Sequence, residues 1–263
     1  MSVSSPAAAR IAARNWAFFR HVWKANLFNS LLQPVLYLLA MGLGVGALIN
    51  DNSSSTSMLH GLSYAAFVGP GLLATTTMMI ASVESMWPVY DGVAWGRHYE
   101  SVVATPLTPG DIAWSHALWM AVRSGLGAIT VALAMALFPA VRSLGLVPAT
   151  AVATLGGVAI GMPLAAWAIS RQREGSFPII QRFVIVPLFL FGGAFFPIEQ
   201  LPLVLRWVGY ASPLWHNVEL CRALVSATPI TFAGALGHIA YLAGWALAGG
   251  VVMARCARRR LYP

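Results

Sequence analysis

The chain has 263 residues, 58% of them hydrophobic and 9% charged, with a formal net charge of +8. Soluble domains average about 25% charged residues, so the composition excludes a water-soluble globular protein and makes lipid the medium. Its one lysine, Lys24, follows no glycine-rich loop, which excludes a G-x-x-x-x-G-K-[ST] phosphate-binding loop; work driven by ATP would require another chain to bind the nucleotide.

Residues 10–25 are expected to form an amphipathic helix lying in the headgroup layer, with Trp16, Phe19 and Trp23 at spacings of three and four and Arg10, Arg14, Arg20 and Lys24 on the remaining surface. The N-terminal stretch lacks an uninterrupted apolar core and is not read as a signal peptide. Six apolar blocks follow. A spanning helix needs roughly 20 such residues, and the blocks place spans at about 27–49, 62–86, 114–138, 149–170, 178–196 and 231–254. The first carries Pro34, a kink that lipid-embedded helices tolerate, and a Gly42/Gly46 spacing suited to close helix contact. In the second, Gly69-Pro70-Gly71 is a candidate break, and in the fifth Pro187 and Gly192-Gly193 are. The match between the two is too weak to indicate an inverted repeat.

Between the second and third blocks lies the longest polar interruption, residues 87–111, which holds three of the eight acidic residues, Asp91, Glu100 and Asp111. A short helix is expected around Tyr99–Val103, then a stiff turn at TPLTP, with Asp111 as N-cap of the next helix. Force transmission from a soluble partner and an ordinary capped loop are equally compatible with these residues. Residues 197–228 are too polar to span and too apolar for an ordinary loop. They read either as a two-helix hairpin dipping into the outer leaflet, where irregular backbone must be buried in protein or face water, or as an amphipathic cap with an aromatic belt of Trp207, Tyr210 and Trp215.

Glu84 and Arg123 fall inside spans, where charges are costly. A snorkelling arginine or a mutual ion pair is the plainer reading, and a polar transport pathway the sharper one. Cys221 and Cys256 are placed on opposite sides of the membrane. The six histidines are scattered without ligand spacing, no metal site is expected, and no hydrolase motif is present.

Basic residues set the orientation. With the N-terminus inside, residues 1–26, 87–113, 171–182 and 255–263 are cytoplasmic and hold 12 of the 16 basic residues. The expected location is a bacterial cytoplasmic membrane, multi-pass, with both termini cytoplasmic. The positive charge serves orientation, so nucleic acid is not expected as a partner.

Two segments carry a family resemblance: YESVVATPLTPGDIAWSHALWMAVRS, residues 99–124, and FGGAFFPIEQLPLVLRWVGYASPLWHNVELCRAL, residues 191–224. Both resemble the permease subunit of a type-2 ABC exporter, in the branch of nodulation-factor, polysaccharide and drug-resistance exporter permeases. The resemblance implies an all-α membrane protein with an interface helix, a coupling helix between spans two and three, and re-entrant helices before span six. It also implies two permease copies (or two related chains) paired with two ATP-binding-cassette subunits, which hold the ATP and magnesium; this chain binds no cofactor itself. Carried onto this sequence, the coupling candidates are Asp91, Arg97, Tyr99, Glu100 and Pro106. Those of the re-entrant or exit region are Phe195, Phe196, Pro197, Glu199, Pro202, Trp215 and Glu219. The substrate class stays open among glycolipid, polysaccharide, lipid and drug. An ion-coupled secondary transporter is the alternative, with Glu84 as its one acidic candidate within a span; a membrane enzyme is less well supported.

Overall fold

A computed structural model describes residues 16, 19–21, 32, 34–50, 59, 61–97, 99–100 and 108–261. All regular structure among them is helical. Residues 34–50 are helical, with a π-helical stretch over Ala40–Val45 that continues as α1 (Gly46–Asn50). Among the described residues, a Cβ at Gly44 would meet nothing within 4 Å. The rest of the expected first span, the 51–57 loop and most of the interface helix lie outside the described residues.

Five described helices are long and apolar enough to cross a membrane: α2 (Tyr64–Trp95), α3 (Pro109–Ala136), α4 (Leu146–Ile169), α5 (Glu174–Phe191) and α8 (Phe232–Leu261). Between α5 and α8 stand a 3₁₀ turn (Ile198–Gln200) and two shorter helices, α6 (Leu203–Tyr210) and α7 (Pro213–Val225).

Local chemistry explains the ends. The Ser63 hydroxyl caps α2 by accepting from the Ala66 amide. At α3, Thr108 and not Asp111 is the N-cap; Asp111 stands three residues on and returns the bond, its carboxylate accepting from the Thr108 amide at 2.8 Å. Gly69-Pro70-Gly71 does not break α2, whose helix runs through both Pro70 and Pro88 and continues as a π-helix to Trp95. In α5 the backbone widens to a π-helix over Gln181–Ile185 just before Pro187, which relieves the clash of the proline ring with the preceding turn. α5 ends at Phe191, five residues earlier than expected, where Gly193 takes a φ of +82° that a side chain would strain.

The long helices alternate in direction. At one end, the Ser226 hydroxyl donates to the Ala66 carbonyl at 2.7 Å and the Tyr64 hydroxyl to the Phe195 carbonyl at 3.2 Å. At the other, Tyr90 donates to the Gln172 carbonyl at 3.0 Å, and Phe177, Ile169, Met253 and Ala257 share a buried cluster. The second end carries Arg97, Arg171, Arg173, Arg255, Arg258, Arg259 and Arg260. α4 is the hub, packing on α2, α3, α7 and α8. It is apolar on every face, as a helix surrounded by others must be. α7 runs antiparallel to α4: Leu224 lies beside Gly145, the Cys221 thiol reaches the Ala149 carbonyl, and Asn217 meets Gly156. At 1.5 Å per residue, Asn217 therefore lies about 15 Å along α4 from its start.

Candidate functional site

At the basic end, α2 finishes in an aromatic knot. Trp95 stacks on Trp87 at 6.1 Å and meets Tyr90 edge-on at 5.3 Å, and Phe177 packs edge-on against Trp87 and Tyr90. This knot extends the helix nine residues past the expected end of the second span, into the stretch expected as polar. The backbone then turns at Arg97, a non-glycine residue at φ +46°. The Asp91 carbonyl accepts from the Gly96 and Arg97 amides at 2.9 and 3.3 Å, and the Asp91 carboxylate lies against Gly96. The Arg97 guanidinium pairs with the Glu100 carboxylate at 2.7 Å, both side chains being well exposed. Tyr99, the residue between them in this candidate set, instead turns inward and is 5% exposed, packed with Tyr90, Val93 and Ile112. It anchors the segment, leaving Arg97 and Glu100 as its outward charges. Pro106 lies outside the described residues.

At the opposite end, Phe195 is buried among Phe189 and Tyr37, at ring separations of 5.1 and 6.0 Å. Phe196 meets Phe191 edge-on. Pro197 opens the 3₁₀ turn and Pro202 caps α6, so both prolines stand at helix starts, where the missing N–H is not needed. Arg206 folds back to donate to the Glu199 and Leu201 carbonyls, which ties α6 to the turn before it. Trp215 packs edge-on against Tyr210 at 4.7 Å and covers Gly193.

Sequence reasoning did not anticipate the centre of this region. Arg222 is buried. Its guanidinium pairs with the Glu219 carboxylate, donates to the Gly193 carbonyl at 2.7 Å and stacks on the Phe67 ring at 3.9 Å. One side chain thus ties α7 to the end of α5 and the face of α2. Nearby, His216 of α7 and His238 of α8 bring their Nδ1 atoms to 2.7 Å, and His216 Nε2 lies 3.1 Å from the Tyr210 carbonyl. One imidazole must donate and the other accept across that contact. Nothing in the scattered spacing of the histidines signals this pair, because only the tertiary fold brings α7 against α8.

Midway along the long helices, Glu84 and Arg123 form an ion pair at 2.7 Å. Trp119 Nε1 donates to the second carboxylate oxygen at 3.2 Å, and Arg123 stacks on the Phe19 ring at 4.4 Å. Of the readings open in the sequence, the geometry is the mutual ion pair, and Phe19 of the expected interface helix closes over it.

The profile of the ABC-2 type transporter family matches residues 8–225. The chain is 29% identical over 251 residues to Nodulation protein J of Rhizobium leguminosarum bv. viciae, an alignment covering 94% of this chain and 92% of that protein. It is 28% identical to Nodulation protein J of Rhizobium meliloti, with 95% and 92% covered. It is also 24% identical over 211 residues to the inner membrane transport permease YadH of Escherichia coli, with 76% and 75% covered.

Proposed function

The chain belongs to the ABC-2 type transporter family, and on that premise we propose that it moves an amphipathic substrate outward across the cytoplasmic membrane of a bacterium. It is a multi-pass membrane permease and transport subunit that has no ATPase site of its own; ATP hydrolysis belongs to a separate subunit. In the proposed assembly two permease copies pair with two ATP-binding-cassette subunits, which hold ATP and magnesium. The observation that carries the reading is the family match over most of the chain, joined to a sequence whose single lysine leaves no phosphate-binding loop.

The basic end faces the cytoplasm in this proposal, with both termini on that side, and six spans are completed by the helix containing residues 34–50. Arginine segregation supports this orientation. Closure of the ATP-bound subunits presses on residues 91–108 through Asp91, Arg97 and Glu100, and the knot of Trp87, Tyr90 and Trp95 transmits the push into α2. At the far end, α6 and α7 form the re-entrant hairpin. The half-depth position of Asn217 along α4 supports it, and Arg222 holds it against α5. The substrate passes between two copies, along a face that includes the first span and α5. For α5, exposure within the single chain supports that placement: most of its side chains are uncovered. The proposed cargo is an amphipathic glycolipid, polysaccharide, lipid or drug.

Co-expression with a candidate ATP-binding-cassette subunit, mild extraction and an ATP hydrolysis assay test the reading. A two-to-two complex with ATPase activity is the expected result; a chain that moves solute in liposomes on an ion gradient alone would overturn it. Glu100→Arg, which turns the exposed Arg97–Glu100 pair into a repulsion, should weaken association with the ATPase subunit and leave membrane insertion intact. Full association and transport by that variant would remove the coupling assignment.

A further inference from the structure

We propose that the cytoplasmic end of α8 is a binding site for an anionic phospholipid, with the phosphate held by Arg255, Arg258 and Arg259 and an acyl chain lying along Leu247, Val251 and Val252. With 3.6 residues per turn, these six residues fall on one face of the helix. The opposite face, carrying Gly249, Met253 and Ala257, is buried against the protein. Leu247, Val251 and Val252 are 64%, 51% and 46% exposed, so the face that presents the arginines is apolar directly above them. An apolar stripe that ends in three guanidinium groups complements a phospholipid, whose tail and charged head are arranged in the same order along the membrane normal.

The arginines are available for this role. Among the described residues none of the three has an ion-pair partner, whereas Arg97, Arg123 and Arg222 each have a carboxylate. Their neighbour Arg260 turns the other way, where its charge acts on Tyr90 together with those of Glu174 and Arg173. The partial negative charge of a helix C-terminus repels anions, so the guanidinium groups and not the backbone must attract the phosphate, and their planar donors suit a phosphate oxygen pair. A soluble acidic partner would meet only the last turn; a lipid meets the whole stripe. The site rests on the proposed orientation of α8 in the bilayer and not on the transport cycle, so its failure would leave the transport reading untouched.

Native mass spectrometry of the full chain in neutral detergent, titrated with cardiolipin, phosphatidylglycerol, phosphatidylcholine and inorganic phosphate, tests it. Cardiolipin and phosphatidylglycerol should be retained and phosphatidylcholine lost, with inorganic phosphate failing to displace the lipid at equal concentration. A basic residue near an anionic lipid contributes about fivefold in affinity. Arg258→Gln alone should therefore weaken binding about fivefold, and Arg255→Gln/Arg258→Gln/Arg259→Gln on the order of 100-fold. Arg142→Gln at the opposite end should change nothing. If the triple variant fails to fold, Arg255→Lys/Arg258→Lys/Arg259→Lys, which keeps the charge, should retain most of the binding beside the weakened single variant. Unchanged lipid retention by the glutamine variants would overturn the site, as would displacement by inorganic phosphate.

Discussion

Arg123 is tolerable in the apolar middle of α3 because every side of its charge is answered. Glu84 pairs with it from α2, Trp119 satisfies the other carboxylate oxygen, and the Phe19 ring covers the guanidinium. Removing one member of a buried pair strands the other, at a cost of about 3 kcal/mol or more. Glu84→Gln and Arg123→Gln should each lower the unfolding midpoint in detergent. The charge swap Glu84→Arg/Arg123→Glu should recover part of the loss and retain export, an outcome that a substrate-binding role for Glu84 would not produce. Both residues were legible in the sequence, because a charge within an apolar block stands out. Arg222 was not. In a mixed-polarity stretch it reads only as positive charge near the outer mouth, open equally to an anionic substrate and to lipid headgroups. Its burial comes from the Gly193 carbonyl and the Phe67 ring, partners that only the tertiary fold supplies.

Hydropathy located the long helices because each block must cross lipid, but it misplaced ends wherever packing outweighs polarity. α2 runs on to Trp95 because Tyr90, Val93 and Trp87 find aromatic and aliphatic neighbours there. α8 continues through its arginines to Leu261, since arginine is a good helix former and complements the dipole at a C-terminus. The π-helical widenings left no signal that a period of 3.6 reveals. Packing of α7 depends on small residues at the right level of α4. A Cβ on Gly156 would run into the Asn217 amide of α7, and Asn217 is fully buried. Gly156→Leu should therefore displace α7, with an overpacking cost of about 1–3 kcal/mol, and impair export. Asn217→Ala added to that variant should restore part of both stability and transport. If Gly156→Leu is silent, α7 does not need its seat on α4.

Across the whole molecule, seven described arginines gather at one end of the helices, while α6, α7 and their aromatic cluster occupy the other. This segregation makes an orientation testable with the two native cysteines. Cys256 stands half-buried beside the arginines near the end of α8, and Cys221 is completely buried in α7 at the opposite end. With the basic end inside, an impermeant maleimide should leave Cys256 unlabelled in intact cells and label it in inverted membrane vesicles. Cys221 should resist the reagent from both sides and react only after denaturation, because its thiol is packed against the Ala149 carbonyl and the Asn217 side chain. A double variant, Cys221→Ala with Cys256→Ser, supplies the blank. Labelling of Cys256 from outside intact cells would invert the molecule. It would put residues 91–108 on the side without ATP, and an ATPase subunit could then no longer drive export through that segment.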